Sequence, residues 1–252
     1  MQHLGNRIQS VLTRIRESER RFHRQPGSVI LLAVSKTQSP DTIAAAAATA
    51  GLKRFGENYL QEALEKKQLL DHLDLEWHFI GPIQSNKSRR IAENFAWVHS
   101  VERLKIAERL NAQRPAEMPP LNICLQVNVS EEFNKSGLRL AELPEFVRVL
   151  VKLPRLRLRG LMAIPAPCDD FTLQRQPFAQ LREALEQLKQ ADLPENVSTF
   201  MDTLSMGMSH DLEAAVAEGA TIVRIGTALF GPREPKIDLD NTRRLSEDSS
   251  ED

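Results

Sequence analysis

The strongest constraint in this 252-residue chain is an alternation of short continuous apolar runs with longer amphipathic stretches. The short runs fall at 29–34, 53–56, 76–80, 95–100, 121–129, 156–164, 197–204 and 221–225. Most are unbroken rather than alternating, the pattern of strands covered on both faces in a parallel sheet. Between them, apolar residues at helical spacing span 41–50, 59–72, 86–94, 101–113, 141–153, 171–191 and 210–218. A further helix precedes the first strand, built on Leu4, Ile8, Val11, Leu12, Ile15 and Phe22. Pro40 before Asp41 and Gly219 after the last helix supply start and stop signals. This order reads as an α/β chain forming a single (β/α)8 TIM barrel with an extra N-terminal helix, which covers the gap left by a missing eighth helix. A doubly wound open sheet is the alternative.

The barrel domain is expected over residues 1–235, followed by an acidic, disordered tail at 236–252 that is nearly devoid of hydrophobics at its end. The 33 basic and 34 acidic side chains nearly cancel, which argues against a dedicated nucleic-acid or anionic-membrane binder. The longest mostly apolar stretch, 43–52, is half the ~20 residues that a membrane span needs. Cys124 and Cys168 cannot build a disulfide framework, which fits a reducing, cytoplasmic compartment. The six histidines lack metal-ligand spacing, and no nucleophile elbow, Walker loop or dinucleotide fingerprint is present.

In a barrel, residues just past the C-terminal strand ends line the site. After the seventh strand, Ser205, Gly207, Met208 and Ser209 lead into a helix near His210, and after the eighth come Gly226 and Thr227. Small residues there either turn backbone N–H groups toward an anion or form a capped turn and a tight bend. Lys36 follows the first strand at the barrel mouth. It is either a solvated strand-end lysine or an amine that condenses with an aldehyde. Arg224 shares a strand face with Gly226 and either reaches the same ligand or makes a structural ion pair. A phosphate cradle and an aldehyde-binding lysine together describe pyridoxal 5′-phosphate.

The runs Ala33-Val-Ser-Lys36-Thr37, Phe55-Gly-Glu-Asn58-Tyr59, Trp77-His-Phe-Ile-Gly81 and Gln84-Ser-Asn86-Lys87 resemble the pyridoxal phosphate homeostasis protein family. So do Gly160-Leu-Met-Ala-Ile164, Leu204-Ser-Met-Gly-Met-Ser209, and Arg224-Ile-Gly-Thr227 with Phe230-Gly231, in order across seven strand ends. The resemblance implies a barrel like the N-terminal domain of alanine racemase, holding pyridoxal phosphate as a Schiff base on Lys36. It implies Ser205, Gly207, Met208, Gly226 and Thr227 around the phosphate, Arg224 at the pyridine nitrogen, and Asn58 and Met162 flanking the ring. Family members act in vitamin B6 and amino-acid homeostasis without established turnover, and apoenzymes that accept the cofactor are the implied partners. Gln38 stands where many relatives have lysine, and the tail has no family counterpart. Racemase relatives carry a catalytic tyrosine on a C-terminal β-domain, through which they dimerise. Only 21 residues follow Gly231 here, so a monomeric carrier is expected. The alternative is a racemase or lyase using Tyr59 or Lys135 as a second base.

Overall fold

The computed structural model describes residues 2–130, 136–191, 193 and 198–232. Eight parallel strands close into one barrel in sequence order, so the open-sheet alternative is excluded. They are β1 (Ile30–Val34), β2 (Arg54–Glu57), β3 (Glu76–Phe79), β4 (Trp97–Val101), β5 (Leu121–Val127), β6 (Leu156–Ala163), β7 (Thr203–Ser205) and β8 (Ile222–Ile225). The helices are α1 (Gln2–Arg21), α2 (Pro40–Ala50), α3 (Leu60–Leu69), α4 (Ser88–Asn94), α5 (Leu104–Gln113), α6 (Leu143–Leu150), α7 (Phe171–Gln190), α8 (Leu212–Ala217) and α9 (Thr227–Phe230).

Local chemistry sets several of these ends. Ser39 caps α2 by accepting from the Thr42 N–H, Pro40 opens the helix, and Gly51 closes it in the left-handed region at φ 63°. Asp170 caps α7 through the Leu173 N–H at 2.8 Å. Outward residues of the strands, such as Ala33, Phe55, Trp77, Phe79 and Val98, join the helices in one continuous apolar layer. The apolar stripe of α1, Leu4, Ile8, Val11 and Ile15, is buried in that layer beside α8 and α9. The eighth strand is therefore followed by a short helix, and α1 completes the wall as the sequence implied.

The expected bounds shift by one residue at an end or at both ends of five strands and by more at three. The run at 95–100 becomes a strand at Trp97–Val101 because Phe95 packs edge-on against Phe79, with ring centroids 5.3 Å apart, before the ladder begins. The run at 121–129 ends at Val127. The run at 197–204 contracts to Thr203–Ser205; Phe200 instead lies half-exposed beneath the Arg157 guanidinium, 4.5 Å from its ring centre. Residues 131–135, which include Lys135, and the tail at 236–252 fall outside the described residues.

Candidate functional site

The site is built on the C-terminal strand ends, where period-two alternation continues from each strand into its loop. Leu32 of β1 faces the barrel interior, since a Cβ on Gly56 would meet both Leu32 and Ile80 side chains. Val34 and Lys36 continue that register, placing Lys36 at the mouth. Its neighbours face the other way and are fastened to α3. The Ser35 hydroxyl donates to Glu57 Oε1 at 2.6 Å, while Lys66 Nζ donates to the Ser35 carbonyl at 2.7 Å, to Glu57 at 2.8 Å and to Glu62 at 2.6 Å. The Thr37 N–H donates to Glu62 Oε1 at 2.5 Å, and Thr37 has a φ of 68°, unfavourable for a β-branched residue. Lys36 thus sits between two residues held by one buried charge network. Burial pushes the Glu57 carboxyl above its usual range, and Lys66 opposes that only in part.

Arg224 lies inside the barrel at 4 % exposure, with no carboxylate hydrogen-bonded to it among the described residues. Its guanidinium donates to the Ser205 carbonyl, to Ser205 Oγ at 2.9 Å and to the Ala163 carbonyl at 2.9 Å. Desolvation lowers its pKa to about 10, so it remains charged at neutral pH. Ser205 Oγ also meets His99 Nδ1 at 2.7 Å. The Ser205 hydroxyl therefore points into the barrel, and only its backbone adjoins the loop after β7. Met162, fully buried beside Trp97 and Cys124, is level with Ser205 in the β6–β7 ladder.

The loops after β7 and β8 lie side by side at the mouth, since their strands are neighbours in the barrel. Gly207 has a φ of 92°, and a Cβ there would lie 2.5 Å from the Ala215 Cβ, so this bend admits only glycine. The Gly207 carbonyl accepts from the Arg224 N–H at 2.9 Å, and the Met208 N–H is taken by Asp211 Oδ1 at 2.5 Å. Gly226 packs against the end of β1, where a Cβ would stand 3.2 Å from the Val34 carbonyl oxygen. Thr227 is exposed and opens α9, so its N–H has no acceptor within that helix. Asn58 follows β2, and its Oδ1 is buried without a hydrogen-bond partner among the described residues. Arg14 of α1 fastens this region from outside, donating to the Ser209 carbonyl at 3.2 Å and pairing with Glu213 at 2.9 Å.

A family model described as alanine racemase, N-terminal domain, matches residues 10–234. The chain belongs to the alanine racemase N-terminal domain family. Among its relatives, the pyridoxal phosphate homeostasis protein of Pseudomonas aeruginosa is 57% identical over 234 residues, covering 93% of this chain and 97% of that one. Its namesake in Escherichia coli strain K12 is 49% identical over 237 residues, covering 93% and 98%. The structure of PipY from Synechococcus elongatus with pyridoxal phosphate bound aligns with a TM-score of 0.77 at 36% identity, covering 90% of this chain and all of that one. Alanine racemase from Corynebacterium glutamicum shares the fold alone, at 17% identity and a TM-score of 0.64.

Within this alanine racemase N-terminal domain barrel, two groups of polar residues escaped the sequence reading. Glu57, Glu62 and Lys66 carried one weak signal, an i,i+4 charge pair on a helix. His99 carried none, and His78 carried none beyond its place in the run Trp77-His-Phe-Ile-Gly81. The structure joins them, with His78 Nδ1 and His99 Nε2 2.9 Å apart. Among the described residues, no cluster could hold a metal ion, and no helix is long and apolar enough to cross a membrane.

Burial lowers both histidines, His99 well below its usual value, so both are neutral at pH 7. The unfolded chain takes up protons first on acidification, so stability present above pH ~6.5 is lost as pH falls toward the folded values. The expected slope is about 1.4 kcal/mol per pH unit for each histidine, with His99→Phe roughly halving it. Urea midpoints between pH 7 and 5 would measure this, and a flat profile would contradict it.

Proposed function

We propose that this protein binds pyridoxal 5′-phosphate, holds it as a Schiff base on Lys36, and acts in intracellular vitamin B6 and amino-acid homeostasis as a carrier rather than a catalyst. The observation that carries this reading is Arg224, a buried guanidinium supported by carbonyls and a hydroxyl instead of a carboxylate. Such a group suits an anionic or acceptor ligand above it. The partnerless Oδ1 of Asn58 and the glycine-only bend at Gly207 fit the same occupant. The names of the two relatives and the PipY complex support it further.

When bound, the cofactor supplies an aldehyde and a phosphate; the protein would supply the rest. Lys36 would carry the aldehyde carbon, with Asn58 and Met162 beside the ring. The backbone of Ser205, Gly207, Gly226 and Thr227 would receive the phosphate, joined by the Met208 N–H on exchange of its Asp211 partner. Arg224 would face the ring nitrogen. An arginine there is donor-only, which disfavours ring protonation and makes the ring a poorer electron sink. That argues for holding over turnover. Tyr59, a candidate second base, is 55% exposed, outside the buried part of the site. A protein of this kind would act as a monomer that passes the cofactor to apoenzymes.

The test is an absorption spectrum of the purified protein with added pyridoxal phosphate. A band near ~420 nm that borohydride removes and that Lys36→Ala lacks is expected. An unchanged band in Lys36→Ala would overturn the assignment.

A further inference from the structure

The barrel interior holds an unbroken file of hydrogen bonds from mouth to floor. Arg224 Nη1 donates to Ser205 Oγ at 2.9 Å, and Ser205 Oγ meets His99 Nδ1 at 2.7 Å. His99 Nε2 meets His78 Nδ1 at 2.9 Å, and His78 Nε2 meets Glu76 Oε1 at 3.0 Å. Glu76 stands at the start of β3 and pairs with Arg54 of β2 at 3.0 Å, with both side chains partly exposed.

The two ends set the direction of the file. A guanidinium only donates and an ionised carboxylate only accepts. With both imidazoles neutral, one arrangement satisfies every link: Ser205 O–H to His99 Nδ1, His99 Nε2–H to His78 Nδ1, and His78 Nε2–H to Glu76. The surrounding groups preserve it. Arg54 of β2, Glu76 of β3, Trp97 and His99 of β4, Cys124 of β5, Arg159 of β6, Ser205 of β7 and Arg224 of β8 surround the file, with Asp202 just before β7 at its edge. His78 stacks on Trp97 with centroids 5.4 Å apart, Arg159 covers the same indole at 4.7 Å, and Asp202 pairs with Arg159 at 2.6 Å. Among the described residues, the carboxylate hydrogen-bonded to this histidine pair is Glu76, through His78. Burial and neighbouring positive charge hold His78 and His99 neutral at pH 7, as this direction requires.

We propose that this file is a proton relay, poised to take a proton at Ser205 beside Arg224 and to store it on the His78–Glu76 pair at the barrel floor. The balance is simple. A proton binds Ser205 Oγ as the original hydroxyl proton passes to His99 Nδ1. The His99 Nε2 proton then passes to His78 Nδ1, leaving His78 as an imidazolium beside the Glu76 carboxylate. One proton enters, no electrons move, and the Ser205–His99 and His99–His78 bonds reverse while the Arg224–Ser205 and His78–Glu76 bonds keep their direction. The Ser205 hydroxyl then accepts from both His99 and Arg224 and keeps a hydrogen of its own, which no longer points at His99. Ser205 and His99 are accordingly positioning residues for Arg224. The link to a ligand rests on the cofactor reading above; the relay itself does not.

The direct test is nitrogen NMR of ¹⁵N-histidine-labelled full-length protein without added ligand. At pH 7, both His78 and His99 are expected as Nε2–H tautomers. On acidification, His78 is expected to gain its second proton at the same midpoint at which His99 switches to Nδ1–H. An Nδ1–H tautomer of either residue at pH 7, or protonation of His78 without the His99 switch, overturns the proposal. Ser205→Ala removes the terminal acceptor and is expected to abolish the His99 switch and move the His78 midpoint to lower pH, with Ser205→Thr restoring both. Persistence of the switch in Ser205→Ala also overturns it. With pyridoxal phosphate added, the absorbance band is expected to shift at the His78 midpoint. A band with no such shift would overturn the coupling to ligand, whereas no band at all would count against the cofactor reading and leave the NMR result standing.

Discussion

Replacing Lys66 by methionine is expected to destabilise the barrel by about 3–5 kcal/mol at neutral pH, the usual loss on breaking one side of a buried ion pair. Lys66 is 4% exposed, and Glu57, one of its two carboxylate partners, is fully buried. Removing the ammonium leaves Glu57 with the Ser35 hydroxyl as its remaining donor in that network. The loss depends on pH. The folded-state value of Glu57 is already raised, and the variant raises it further, so the folded state binds more protons than the unfolded one. Stability is then fully present below the ordinary carboxylate value and falls as pH rises through the raised one. Adding Glu57→Gln should recover much of the loss, because no buried charge remains. Urea titrations of both variants from pH 4 to 8 would measure this, and a pH-independent loss would contradict it. The same variant removes the donor to the Ser35 carbonyl and the cation that holds Glu62 against the Thr37 N–H, so Lys66→Met should also weaken whatever Lys36 holds.

Gly160→Ala is the second large expected loss, about 3 kcal/mol or more. Gly160 lies beside Thr203 in the β6–β7 ladder, and a Cβ there would fall on the Thr203 carbonyl oxygen. Since backbone is what collides, no side-chain rotation relieves it. β7 is only three residues long, so the barrel has little ladder to spare at this seam. A raised denaturant midpoint, or one unchanged within error, would disprove the expectation; Gly27→Ala is the comparison, with positive φ but nothing within 4 Å of its Cβ.

The sequence exposed the barrel because parallel strands buried on both faces appear as unbroken apolar runs, and seven helices separate eight of them. The strand limits near β7 were not legible. Val197, Thr199 and Phe200 have the composition of a strand, yet Phe200 finds a better partner in Arg157 outside the sheet. The mouth was legible wherever chemistry sits beside a strand end, as at Lys36, Asn58 and Arg224. Ser205 was legible as a position but not as an orientation, since which way a strand-end hydroxyl points depends on the partners the barrel brings to it. The His78–His99 contact joins residues 21 apart on neighbouring strands, and only the barrel's stagger sets their nitrogens face to face.

The stitch from Arg14 to the loop after β7 ties the beginning of the polypeptide to a region assembled almost two hundred residues later. During synthesis, the apolar stripe of α1 can meet α2 early but must wait for α8 and α9 before it is fully covered. A nascent chain therefore carries an open greasy seam for most of its growth, and closure comes as a late, cooperative event dominated by long-range contacts. Chaperone capture and clipping by proteases should concentrate in that interval rather than in the finished protein.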